Sequence, residues 1–107
     1  MWVSENSDVF RALADPTRRA ILEQLALGET TVKDLTARFS VSQPAVSQHL
    51  AALRRAGLVS ERRAGRFAHY RANPEGLRPL VEWIDHFRSF WPERIRRLEG
   101  LLQEMDE

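Results

Sequence analysis

The sequence predicts a mainly α fold of the α+β winged-helix kind: a helix-turn-helix, a two-stranded β-hairpin wing, and N- and C-terminal dimerisation helices. Two patterns and one charge asymmetry carry that expectation. Apolar residues recur at helical spacing in four segments before residue 57, and the period then becomes strand-like until about residue 72. Basic charge gathers in the middle third of a chain whose total is only +1.

The 107 residues are read as one domain, with the helix-turn-helix over about 31–56, the wing over about 58–72 and the terminal helices over about 76–105. Ser7 is placed to cap a short first helix whose Val9, Phe10 and Leu13 share a face. Asp15-Pro16 is a preferred helix opening, an N-cap followed by proline at the first helical position. Ile21, Leu22 and Leu25 then mark a helix over about 16–26, with Gly28 as its terminator. Thr31 opens a third helix, with Asp34 three residues on in a capping-box-like arrangement and Val32, Leu35 and Phe39 facing inward.

Ser40-Val41-Ser42 makes a tight turn, and Ser42 caps a fourth helix running to about Ala56, with Pro44 in its first turn. Val46, Leu50 and Leu53 point that helix at the core, and Gly57 closes it. Leu58–Arg62 and Phe67–Arg71 read as strands joined by Arg63-Ala64-Gly65-Arg66. Tyr70 and Phe67 fall on opposite faces, with Tyr70 packing beneath the hairpin and His69 structural or backbone-contacting. Beyond Asn73-Pro74 the sequence is helical to the end, with a break near 89–91 forced by Pro92.

Residues 42–74 carry Arg54, Arg55, Arg62, Arg63, Arg66 and Arg71 against Glu61 alone, a net of +5, whereas 1–41 and 75–107 come to −1 and −3. A basic segment of this kind is the footprint expected where phosphates bind. The absence of cysteine excludes a disulfide scaffold, a zinc ribbon and a thiol nucleophile. No stretch approaches the roughly 18 apolar residues of a membrane span, and Met1–Glu5 has no signal-peptide character, so a cytoplasmic protein is expected. No glycine-rich phosphate loop, nucleophile elbow or metal-ligand cluster appears, so neither an enzyme nor a cofactor is expected.

With Val46, Leu50 and Leu53 buried, the opposite face of the fourth helix carries Pro44, Ser47, Gln48, Ala51 and Arg55, with Gln43 at the N-terminus. Over two turns this face is polar, uncharged and short-chained. It can lie against base edges in a major groove, where glutamine pairs bidentately with adenine. An ordinary amphipathic helix could look the same. The preceding helix and turn, the basic hairpin and the scarcity of acid decide for DNA. The expected contact set is Ser42, Gln43, Pro44, Ser47, Gln48 and His49, then Arg54 and Arg55 toward phosphates, then Arg62, Arg63 and Arg66 on the wing.

Three segments resemble the ArsR-like winged-helix repressors: Leu13-Ala14-Asp15-Pro16-Thr17-Arg18-Arg19-Ala20-Ile21-Leu22, Val41-Ser42-Gln43-Pro44-Ala45-Val46-Ser47-Gln48-His49-Leu50, and Leu53-Arg54-Arg55-Ala56-Gly57-Leu58-Val59. Gly65-Arg66 and Tyr70-Arg71 match that family's wing, and the resemblance spans about residues 7–105. It implies a homodimeric repressor on an imperfect palindrome, often its own promoter, with Gln43, Ser47 and Gln48 at base-reading positions and the wing arginines on the backbone. The chain departs from the metal-sensing members. Thr31-Val32-Lys33-Asp34-Leu35 has no cysteine pair, and Asp85-His86 has no second histidine downstream. His49, His69 and His86 lie on different elements without ligand spacing, so no metal is expected and the releasing effector, small molecule or protein, stays unassigned.

Trp83, Ile84, Phe87, Phe90, Trp91, Ile95, Leu98, Leu101, Leu102 and Met105 recur every three or four residues, more apolar stripe than one small domain needs. A dimer interface is therefore expected from Trp2, Val9, Phe10, Phe87, Phe90, Trp91, Ile95, Leu98 and Leu102. For Trp83, Phe87 and Trp91 two readings stand: packing, the commoner role of an aromatic stripe, and a ligand cavity. The rival function is a winged-helix protein-interaction module without specific DNA binding, against which the basic middle third argues.

Overall fold

A computed structural model describes the backbone of residues 2–106 and the side chains of 8–105 apart from 91 and 95. The elements are α1 (Trp2–Leu13), α2 (Pro16–Leu27), β1 (Thr30–Thr31), α3 (Val32–Thr36), α4 (Gln43–Arg55), β2 (Val59–Ala64) and β3 (Phe67–Ala72). A 3-10 turn (Pro74–Leu77) then leads into α5 (Arg78–Asp85) and α6 (Trp91–Asp106). The order agrees with the sequence reading, and three details correct it. Helix α1 begins at Trp2 and already runs through Ser7, which is therefore not its cap. Helix α3 is five residues long rather than reaching Phe39, because Arg38 and Phe39 donate to Leu35 and Thr36 in tightening i→i+3 turns. The sheet has three strands, in the order β1-β3-β2, all antiparallel.

The extra strand is two β-branched threonines, and Thr30 is buried opposite Tyr70. Its pairing fastens the α2–α3 connection to the hairpin, so the wing is held at both edges of β3. The hairpin is also longer than expected. Ala64 pairs with Phe67, leaving Gly65-Arg66 as a two-residue turn in which Gly65 has φ +64°. Glycine in the first central position with positive φ is the II′ pattern, whose twist suits an antiparallel pair.

Helix openings follow their chemistry. The Asp15 carboxylate accepts from the backbone N–H of Thr17 (2.8 Å) and Arg18 (3.1 Å). The hydrogen bond from the Arg18 N–H, foremost, holds its carboxyl below the usual range against some opposing desolvation. Thr31 Oγ1 and Ser42 Oγ accept from Asp34 N and Ala45 N, both at 3.2 Å. Ser42→Ala should cost about 1 kcal/mol and lower the melting midpoint by about 4–8 °C, read by calorimetry. No change would mean that Pro44 alone starts α4.

Ile21, Leu35, Val46, Leu50, Leu53 and Leu58 are almost completely inaccessible, with Val9, Ala12, Leu25 and Val59 beside them. Val9 thus belongs to the chain's own core, which corrects its assignment to a dimer interface. At the end of α4, Gly57 takes φ +78° and lets Leu58 N donate back to Leu53 O at 2.9 Å. Asn73 closes the other end of the hairpin onto the same joint: its N–H donates to Leu58 O (2.8 Å) and its Nδ2 to Gly57 O (2.9 Å). Hairpin and α4 therefore share one anchor.

The chain leaves α5 at Asp85, turns through 86–90 and restarts with Pro92 in the first turn of α6, where the break was expected. Phe10 of α1 meets Trp83 edge-on at 5.8 Å, and Trp83 meets Phe87 at 5.3 Å, so the chain's ends pack together. Beyond that contact Phe90, Leu98, Leu101, Leu102 and Met105 are exposed. The radius of gyration is 17.6 Å, against about 13 Å for a compact chain of this length. The side chains of Trp2, Trp91 and Ile95, expected at a dimer interface, lie outside the described residues.

Candidate nucleic-acid interface

The cap at Ser42 and the buried row Val46–Leu50–Leu53 fix how α4 is rolled about its axis. Gln43, Pro44, Ser47, Gln48, Ala51 and Arg55 consequently all face solvent. Among the described residues no hydrogen bond or ion pair engages the side chains of Gln43, Ser47 or Gln48. They present donors and acceptors outward with nothing in the chain to give up first. His49 differs. It is half-buried against α2, and its Nδ1 accepts from Arg18 Nε at 3.2 Å. That corrects its place in the contact set: it positions α4 rather than facing outward.

Beside this face stands Glu61 of β2, its side chain only 14% exposed. One oxygen accepts from Arg54 Nη1 (2.8 Å) and from the Tyr70 hydroxyl (3.0 Å), while the other lies 3.3 Å from Arg63 Nε. Burial, and then the Glu61 carboxylate, push the Tyr70 hydroxyl above its ordinary pKa, so it stays a donor. Glu61 thereby ties α4 to the hairpin. A cleft of about 420 Å³ runs between them, lined by Ser47, Ala51, Arg54, Arg55 and Tyr70.

Strand alternation divides the wing's arginines. Glu61 and Arg63 share the face toward α4, and Arg62 takes the opposite one. There Arg62 pairs with Glu29, whose second basic neighbour is His69 (Nδ1 at 3.7 Å). The Arg62 hydrogen bond holds the Glu29 carboxyl below its usual range. Arg62 therefore anchors the wing to the α2–β1 connection, its side chain still more than half exposed. Arg66 stands at the exposed turn, and among the described residues it has no ion-pair partner.

Glu29 and Glu61 matter here and were absent from the sequence-derived set. Their importance depends on strand register: Glu61 faces Tyr70 only because the hairpin turns after Ala64, and Arg62 faces His69 for the same reason. Knowing the turn at Gly65-Arg66 was the signal that could have placed both pairs. Among the described residues no group of three His, Cys, Asp or Glu side chains comes together as a metal site.

A short helix, a tight turn, a second helix with an open polar face and an adjoining basic hairpin define a winged helix-turn-helix. The family model for bacterial regulatory proteins of the arsR family matches residues 15–61. The HTH-type transcriptional regulator Rv2034 of Mycobacterium tuberculosis is 45% identical over 97 residues, 91% of this chain and 85% of its own length. The transcriptional repressor SdpR of Bacillus subtilis is 38% identical over 81 residues, 76% of this chain and 90% of its own. A homodimeric winged helix-turn-helix DNA-binding domain from Mycobacterium bovis, solved by NMR, matches with a TM-score of 0.67 at 31% identity, covering 79% of this chain and 82% of that one. The chain belongs to the ArsR family of bacterial transcriptional regulators.

Proposed function

We propose that the chain works as a homodimeric repressor, reading a palindromic operator, its own promoter included, through the first two turns of α4. The observation that carries this is the open face of Gln43, Ser47 and Gln48, polar, uncharged and unengaged within the chain. Glutamine is suited to adenine edges and serine to several bases. Arg55 and Arg66 supply phosphate attraction with no ion-pair partner among the described residues, while Arg54 and Arg63 share Glu61 and brace the wing. The function is binding rather than catalysis, carried out in the cytoplasm, and none of the described helices is long and apolar enough to cross a membrane.

Dimerisation follows from the exposed stripe of Phe87, Phe90, Leu98 and Leu102, which a second copy would cover, with Phe10 bordering it through Trp83. The homodimeric domain from M. bovis supports this assembly. A two-fold pair would set the reading helices about 34–36 Å apart, one turn of DNA.

Mobility shifts against the DNA upstream of the chain's own gene, with selection from random duplexes, test the proposal. A specific, salt-sensitive complex on a palindrome is expected. Failure of selection to enrich any site would hand the function to a protein-interaction module. Arg66→Ala should weaken operator and unrelated DNA alike and reduce the salt slope by about 1. A loss confined to the operator would mean that Arg66 reads bases.

A further inference from the structure

We propose that the cleft between α1, α2 and α4 is a binding site for a phosphate-class oxyanion. Three guanidinium-bearing residues from three helices, Arg11, Arg18 and Arg55, line this space of about 300 Å³. Asp8 is the one acid among its lining residues, leaving a net of two positive charges. Ala12, Ala52 and Ala56 complete the lining, and their short side chains keep it open.

Few carboxylates offset these charges: Asp8 shares the lining, and Asp15 interacts with Arg18. Arg54, Arg62, Arg63, Arg78, Arg88 and Arg97 each have a carboxylate within ion-pair distance. Among the described residues Arg11 and Arg55 have none. Arg18 is already oriented, its Nε donating to His49 (3.2 Å) and its Nη1 reaching the Arg11 carbonyl (3.5 Å). Its Nη2 has no partner among the described residues. Gathering three cations with so little counter-charge is unfavourable unless an anion joins them. Planar guanidinium forks match the oxygens of phosphate in paired hydrogen bonds. The volume stands at the small end of ligand sites, which suits a compact anion.

Arg55 belongs to α4, and Arg18 grips α4 through His49, so an occupant bears directly on the reading helix. Two sources supply the same chemistry: a free small oxyanion, or a backbone phosphate of bound DNA.

The experiment titrates inorganic phosphate, then pyrophosphate, into the full chain at constant ionic strength balanced with chloride, following backbone amides by NMR. Saturable shifts gathered on α1, α2 and α4 are expected, and Arg11→Ala should weaken binding by about tenfold, the effect of removing a charge-assisted hydrogen bond. Arg11 is exposed and alanine favours helix, so its melting midpoint should match the parent's. Free phosphate that fails to bind, with Arg11→Ala weakening DNA binding about tenfold and lowering the salt slope by about 1, identifies the occupant as DNA phosphate. No saturation together with unchanged DNA binding overturns the proposal. The phosphate arm contains no DNA, so its outcome is independent of the operator reading.

Discussion

A chain carrying Gln43→Ala and Gln48→Ala together is expected to lose most of its preference for operator over unrelated DNA while keeping its non-specific affinity. Each bidentate contact to a base edge contributes about 1–3 kcal/mol of discrimination. Two such contacts amount to about 2–6 kcal/mol, or roughly 30-fold to 10⁴-fold in the ratio of dissociation constants. The change should leave the fold intact. Both side chains are exposed, neither has a partner among the described residues, and alanine is a better helix former than glutamine. The arginines on the wing and at Arg55 are untouched, so the electrostatic part of binding persists. Fluorescence anisotropy with operator and scrambled duplexes at one salt concentration measures the ratio. Undiminished discrimination would show that sequence is read elsewhere.

Gly76→Ala is expected to be the most damaging change of a single small residue. A Cβ at this position would overlap the carbonyl oxygen of Gly57 and lie 2.8 Å from its carbonyl carbon and 3.2 Å from Leu58 Cα. These are backbone atoms, so no side chain can swing aside. Gly57 is itself constrained, with φ +78° at the end of α4 and its carbonyl accepting from Asn73 Nδ2. Relief must come from moving the 3-10 turn away from the helix–hairpin joint. Overpacking of this kind costs about 1–3 kcal/mol, and backbone contact argues for the upper end. At about 4–8 °C per kcal/mol the melting midpoint should fall by more than ~10 °C. Because the same joint sets the wing against α4, operator binding should weaken even at temperatures where the chain remains folded. A midpoint within about 2 °C of the parent's would mean that the turn accommodates a side chain freely.

The helices up to α4 were legible because their punctuation is local. Asp15-Pro16, Thr31 and Ser42-Gln43-Pro44 open helices through hydrogen bonds reaching only two or three residues along the chain. The buried row Val46, Leu50 and Leu53 is a one-dimensional pattern, and once those residues face inward the outward set Gln43, Ser47 and Gln48 follows from 3.6 residues per turn. The break before α6 was equally local, since Pro92 cannot continue a helix from α5. Other features were not local. Strand β1 is two threonines with no period to detect, and it exists because β3 offers an open edge. Helix α3 stops early although Phe39 continues its spacing, because its last turn tightens.

From its residues alone this protein determined its family resemblance, the limits and roll of α4, and hence which side chains of that helix meet solvent. Helical caps and apolar spacing are properties of neighbours in sequence, which is why they could be read there. Only the tertiary structure decided which charges are free to act. His49 and Arg62 look like DNA contacts in the linear sequence, yet Arg18 and Glu29, each about thirty residues away, engage them. Glu61 reads as a lone acid in a basic stretch, yet strand register makes it the brace between helix and wing. Val9 has dimer-like spacing and is core. Ion pairing and burial depend on what the fold brings within a few ångströms, and for these residues the partners are distant in the chain.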